Sequence, residues 1–164
     1  MTTFALTLTV RSMRVDDIPG LAWSGSPLHL RQTAEHLDRS TPETMDFLVV
    51  VTATDISVGK GEINYETFPG AGSIGSVAVR AELQSLGIGT FLITAAEQRI
   101  RDRGLSRAEL DVEENNPRAR ALYERLGYVA YDRKPDSWDQ QGPDGIAYRY
   151  ETICTMMRKQ LESI

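Results

Sequence analysis

Cysteine, histidine and clustered cations are what this chain of 164 residues has least of. A single cysteine, Cys154, excludes an internal disulfide and leaves no cysteine cluster for a metal. The two histidines, His29 and His36, fall seven residues apart in a helical pattern, with nothing nearby to complete a ligand set. They read as solvated or half-buried helix side chains, and no metal site is expected. Lysine and arginine number 18 against 23 acids, a net charge of −5, and no basic run occurs. Phosphate-backbone binding needs clustered cations, so nucleic acid is not an expected partner. A long hydrophobic run is missing too. The apolar stretch 47–51 is far short of the roughly 20 residues that cross a bilayer. The first eight residues alternate, with no charged region leading into an apolar run as in a secretion signal. A soluble, cytoplasmic protein without a membrane partner is the expectation, and the length suits one domain over residues 1–164.

Hydrophobic periodicity supplies the elements. Alternation over 6–11 predicts a strand, and Asp16 or Asp17 can cap a short helix to Trp23 that Pro19 and Gly20 make irregular. A helix is predicted over 27–39, then three antiparallel strands over 47–53, 58–66 and 73–79. The main helix spans about 87–103, with Ile88, Leu92, Ala96 and Ile100 stacked at spacings of four and Ile93 widening the face. A strand over 107–112 follows. Asn116 then caps a helix that Pro117 opens and Gly127 closes. Residues 128–131 start a strand, 132–145 read as a polar loop, and 148–157 form the last strand. The fold class is α/β, a mixed, mostly antiparallel sheet flanked by helices.

Two segments carry chemistry. The first is Gln84-Ser85-Leu86-Gly87-Ile88-Gly89, a Q-x-x-G-x-G step between a strand pattern and the main helix. A chain that leaves a strand, turns over two glycines and enters a helix points several unpaired N–H groups at one spot. With the helix dipole they make an anion site suited to a pyrophosphate. The step is not a P-loop, since no G-K-[ST] follows, and Leu92 stands where a dinucleotide fingerprint needs a third glycine. The second segment lies about thirty residues on. It reads L-x-V-x-x-x-N-x-x-A-x-x-x-Y-x-x-x-G-[FY], from Leu110 through Asn116, Ala119 and Tyr123 to Tyr128.

Together the two segments resemble the GNAT superfamily of acyl-CoA-dependent N-acyltransferases, directly over residues 74–128. The resemblance implies a sheet whose strands before and after the main helix are parallel at one end and splay apart. It implies acetyl-CoA as donor, its pantetheine arm paired with the main chain of Val77, Ala78 and Val79. Its pyrophosphate would rest on the amides from Ser85 through Leu86, Gly87, Ile88 and Gly89 to Thr90, next to Gln84. Asn116 would add a side-chain contact to its structural role as a cap. Tyr123, whose bland reading is a packed ring, would be the general acid that protonates the departing thiolate, a phenol being close in pKa to a thiol.

A base is needed because an amine is mostly protonated near neutrality. Some relatives carry a carboxylate early on the strand before the main helix, where this chain has Ser73. Ribosomal-protein alanine acetyltransferases place a Glu where this chain has Asp111. Alternation sets Asp111 and Glu113 opposite Leu110 and Val112, as edge acids or as groups facing a substrate. Glu62 and Glu66 are further candidates for holding a cationic acceptor, an amine on a small molecule or peptide. Cys154 reads as a buried structural thiol, so transfer is expected to be direct, in a ternary complex. The 132–145 segment could cover the acceptor side, run over the surface or join two copies as a homodimer. Two alternatives stay open: a silent acyl-CoA-binding regulatory module, and an unrelated phosphate-binding α/β protein.

Overall fold

The computed structural model describes residues 1–162. Along them run β1 (Leu8–Ser12), a 3₁₀ segment (Val15–Ser24), α1 (Pro27–Arg39), β2 (Met45–Thr52), β3 (Ser57–Asn64) and β4 (Ala71–Val79). A single 3₁₀ turn (Ala81–Leu83) leads to α2 (Ile88–Asp102), β5 (Arg107–Glu113), α3 (Pro117–Arg125), β6 (Val129–Gln141) and β7 (Ala147–Gln160). Local chemistry sets several of these ends. Ser26 caps α1, its Oγ accepting from the His29 amide at 3.2 Å, with Pro27 at the first helical position. Asp17 accepts from the Arg14 amide at 2.7 Å and thereby closes the start of the first 3₁₀ segment.

The strands form one sheet in the order β1-β2-β3-β4-β5-β7-β6, antiparallel at every pairing except β4–β5. The resemblance implied this arrangement, and it is observed. Both faces of the sheet are covered. On one, Leu48, Ile63, Ile74, Leu110 and Met157 pack against Leu92, Ile93, Ala96 and Ile100, the stripe expected of α2. On the other, Phe47, Val49 and Val51 meet Leu21, with Leu30 and Leu37 of α1 against them. β2 is therefore buried on both faces, which is why 47–51 is a continuous apolar run instead of an alternating one. Each such side chain contributes about 1.5–3 kcal/mol when fully buried.

A buried carboxylate joins the layers. Glu97 of α2 is 4% exposed. It accepts from the Tyr128 hydroxyl at 3.0 Å and takes two contacts at 3.0 Å from Lys159 Nζ. These partners satisfy an ion that would otherwise be costly to bury. α3 lies against the same core. Ala119, Leu122 and Leu126 are only partly buried, and Tyr123 is the buried residue of that helix.

The expected polar loop over 132–145 is not a loop. β6 continues to Gln141 and pairs with β7 down to Gln141–Ala147, leaving only a short turn. β6 is an edge strand in a ribbon with few buried side chains, so no alternating apolar signal marks it. Pro135, a residue that suggests a break, is tolerated because an edge strand has one side with no ladder to lose.

Close contact of β4 with α2 rests on Gly72. A Cβ there would lie 2.5 Å from Ile100 Cγ1 and 3.0 Å from Ile63 Cγ2. Gly72→Ala is expected to cost about 1–3 kcal/mol by overpacking, read as a lower urea midpoint with an unchanged m value.

Candidate active site

The parallel pairing of β4 and β5 ends at Ile74–Leu110. Beyond it β4 continues beside β3, with Lys60 opposite Ala78 and Gly59 opposite Val79, while β5 continues beside β7. The two strands part, and the β5-facing edge of β4 from Gly75 onward lacks a strand partner. At the apex β4 bulges: Ser76 has φ 52°, and the β3 register slips between Lys60 and Glu62.

A cleft of about 480 Å³ opens from this gap over the start of α2. Val77, Ala78, Val79, Gln84, Ser85, Gly87, Ile88, Gly89, Thr90, Asn116 and Tyr123 all line it. Leu86 is the expected cofactor residue outside the lining; its side chain is 70% exposed. The turn has two left-handed residues, Ser85 (φ 65°) and Gly87 (φ 88°), and Gly87 is the N-cap of α2 without a side-chain cap bond. The first helical bond runs from Phe91 N–H to Gly87 C=O at 3.0 Å, so the amides of Ile88, Gly89 and Thr90 have no partner within the helix. Gln84 ties the turn to the strand, its Nε2 donating to Val79 C=O at 3.3 Å.

Five further residues line the cleft: Leu83, Ala119, Leu122, Arg118 and Arg125. Arg118 Nη2 donates to Ser85 Oγ at 2.5 Å, which brings a cation to the amide cradle. The signal for the two arginines was in the sequence, because residues seven apart on a helix share a face. What could not be read was that this face of α3 meets α2's N-terminus.

Asn116 Oδ1 accepts from the Ala119 amide at 3.1 Å, so the cap of α3 and a wall of the cleft are one residue. α3 places Tyr123 8% exposed, in edge contact with the Tyr128 ring at 6.2 Å between centroids. The Tyr128 amide also donates to Tyr123 C=O at 3.0 Å. Burial raises the Tyr123 phenol above its ordinary pKa, which keeps its proton in place at neutral pH.

The family model described as Acetyltransferase (GNAT) family matches residues 14–128. The chain belongs to this family. Its fold is that of solved GNAT structures. It aligns with a chimera of the spermidine N-acetyltransferase SpeG from Vibrio cholerae and hSSAT at 19% identity and TM-score 0.73, covering 93% of this chain and 95% of that one. The ribosomal-protein alanine N-acetyltransferase from Escherichia coli gives 18% identity and TM-score 0.69 over 96% of each chain. A curated relative, the mycothiol acetyltransferase of Paenarthrobacter aurescens (strain TC1), is 39% identical over 64 residues. That match spans 39% of this chain and 20% of the relative.

In this GNAT chain the expected acidic residues are distributed unevenly. Leu110 and Val112 join the α2-side core, which leaves Asp111 and Glu113 on the opposite face of β5. Asp111 is held by Lys134 Nζ at 2.8 Å, and Glu113 accepts from the Tyr150 hydroxyl at 2.6 Å. Glu62 shares their face, its Oε1 3.7 Å from where a Cβ on Gly75 would lie. Glu66 sits past the end of β3, in the turn before β4, away from the apex. On the same face as Glu62, Lys60 is 3% exposed, and its Nζ lies 2.5 Å from His29 Nε2. Burial lowers the pKa of both members of that pair. Among the described residues no cluster of metal-ligating side chains occurs, and no helix is long and apolar enough to cross a membrane.

Cys154 is buried opposite Glu113 and Lys134. Burial, aided by Asp136, Asp111 and Glu113, pushes its thiol up to about 11. The thiol should stay protonated at neutral pH and resist iodoacetamide in the folded protein, with alkylation rising steeply only in the alkaline range. Mass spectrometry against a denatured control reads this directly.

Proposed function

We propose that this protein transfers an acetyl group from acetyl-CoA to a primary amine, with both substrates bound together. The observation that supports it best is the placing of Tyr123 in one cleft with an unpaired strand edge and a helix N-terminus. Those residues suit the donor. Main-chain groups of Val77, Ala78 and Val79 can pair with an amide-bearing arm as they would with a strand. The amides from Ser85 to Thr90, with Arg118 beside them, suit a pyrophosphate. The donor, when bound, supplies an acetyl group activated as a thioester. Tyr123 holds the proton for the departing sulfur, and burial keeps it protonated until then. Asn116 orients the arm as well as capping α3. A carboxylate on the opposite face of the sheet takes the proton of the incoming ammonium.

Spermidine and a ribosomal-protein alanine, the acceptors in the names of two structural neighbours, make an amine on a small molecule or peptide the acceptor class to test. A silent acyl-CoA-binding module would have no use for a phenol at this point of the cleft.

Two measurements test the reading. A bulky side chain at Gly89 would meet Leu122 Cδ2, already 3.1 Å from the Cβ position, and at Gly87 it would have to adopt a positive φ. Gly89→Leu should weaken CoA binding at least tenfold by calorimetry while the fold persists; unchanged affinity removes the cofactor assignment. Tyr123→Phe should lower kcat by about 10²- to 10⁴-fold, measured as CoA release with spermidine, an alanine-initiated peptide and benzylamine. Acetyl-CoA affinity should be kept. A parental rate in this variant, with chemistry limiting, would remove the acid from the scheme.

A further inference from the structure

We infer that Glu62, rather than Asp111, accepts the proton of the acceptor ammonium; this rests on the acetyl-transfer reading above. Three observations point to it. First, position: the last β4–β5 pair is Ile74–Leu110, so Gly75 and Asp111 are the first residues past the apex of the gap. Glu62 lies opposite Gly75 and reaches across it, its Oε1 3.7 Å from the Gly75 Cβ position. Second, facing: Gly61 looks toward Leu92 of α2, so Glu62 points to the other face, opposite the Tyr123 side. A proton acceptor and a proton donor thus stand on opposite faces of one apex, so an amine can lose its proton on one side while the departing sulfur gains one from the other. Third, availability: Asp111 is engaged by Lys134 at 2.8 Å and Glu113 by Tyr150 at 2.6 Å, whereas no hydrogen bond or ion pair among the described residues engages Glu62. A carboxylate already committed to a lysine loses that pairing when it is protonated. A free one does not.

The half-buried Glu62 is set among groups that leave it so. On its own strand, Lys60 Nζ shares a hydrogen bond with His29 Nε2 of α1 and makes none with the carboxylate. From β2 it faces Phe47, which is apolar, and from β4 Ser73 and Gly75. Across the gap lie Asp111 and Glu113 of β5, with Lys134 of β6 bound to the former. The chemistry balances as R–NH3+ plus thioester giving amide, thiol and one proton. Glu62 takes the first ammonium proton and passes it to solvent. The nitrogen lone pair then forms the C–N bond, the C–S bond breaks, and the sulfur takes the Tyr123 proton. The second nitrogen proton restores the phenol.

Glu62→Gln, Glu62→Asp and Asp111→Asn are compared with the parent, using whichever of the three amines above is acetylated. Glu62→Gln should lower kcat/KM at least about 100-fold and flatten its acidic limb, and Glu62→Asp should keep the limb and part of the rate. Asp111→Asn should stay within a few-fold of the parent. A readout independent of turnover is calorimetric binding of the same amine to the CoA-saturated protein. Affinity should fall on acidification in the parent and become flat in Glu62→Gln, with CoA affinity unchanged in each. If Glu62→Gln keeps the parental rate and limb, Glu62 is wrong while acetyl transfer stands; loss of both in Asp111→Asn would then assign the base to Asp111. Should the glutamine variant fail to fold, a parental limb and parental amine binding in Glu62→Ser overturn the assignment equally. A parent that binds CoA but acetylates none of the amines overturns the transfer reading and the Glu62 role with it.

Discussion

A strand edge left open in the middle of a sheet is the constraint on which the rest of this structure depends. Backbone N–H and C=O groups in a sheet interior are ordinarily paired, and leaving a row of them exposed is costly unless something takes the place of the missing strand. Past Ile74–Leu110 that row exists, along β4 beside the gap. Everything around the gap serves to keep it open. β7 inserts between β5 and β6 and holds β5 in line, while β3 holds β4. The bulge at Ser76 falls just past the point where β4 parts from β5.

Helix ends then give the gap its polarity. The N-terminus of α2, uncapped by any side chain, and the N-terminal part of α3, with Asn116 and Arg118, converge on the same cleft. Convergence of this kind makes a positively biased wall in a protein whose net charge is −5. The other face of the sheet is different in character. There acids outnumber bases near the apex, and most are already spent on partners in β6 and β7.

Glu97, Tyr128 and Lys159 show how the fold stabilises the position of the proposed acid without touching its hydroxyl. Tyr128 links α2 through its hydroxyl and α3 through its amide and ring, so the Tyr123 ring is fixed by packing. The hydroxyl itself stays available at the cleft. Legibility in the sequence divides along the same line. The α2 stripe, the Asn116–Pro117 start of α3 and the Q-x-x-G-x-G turn were legible because each is a local pattern, with every partner within a few residues. β6 was not, because a polar edge strand stabilised by its neighbour's backbone leaves no mark of its own.

By itself the sequence determined most of the elements, their order, the family and the glycine turn that opens α2. These follow from short-range chemistry: apolar period, capping oxygens, and glycines where the chain turns over. Only the tertiary structure decided which carboxylates are free. Asp111 and Glu113 find their partners 23 and 37 residues away, on strands whose register no local pattern sets. Glu62 is left unpartnered by the same long-range pairing, since its neighbour Lys60 is drawn to a histidine on α1. Availability of a charge depends on what folding brings beside it, and that is a property of the whole sheet.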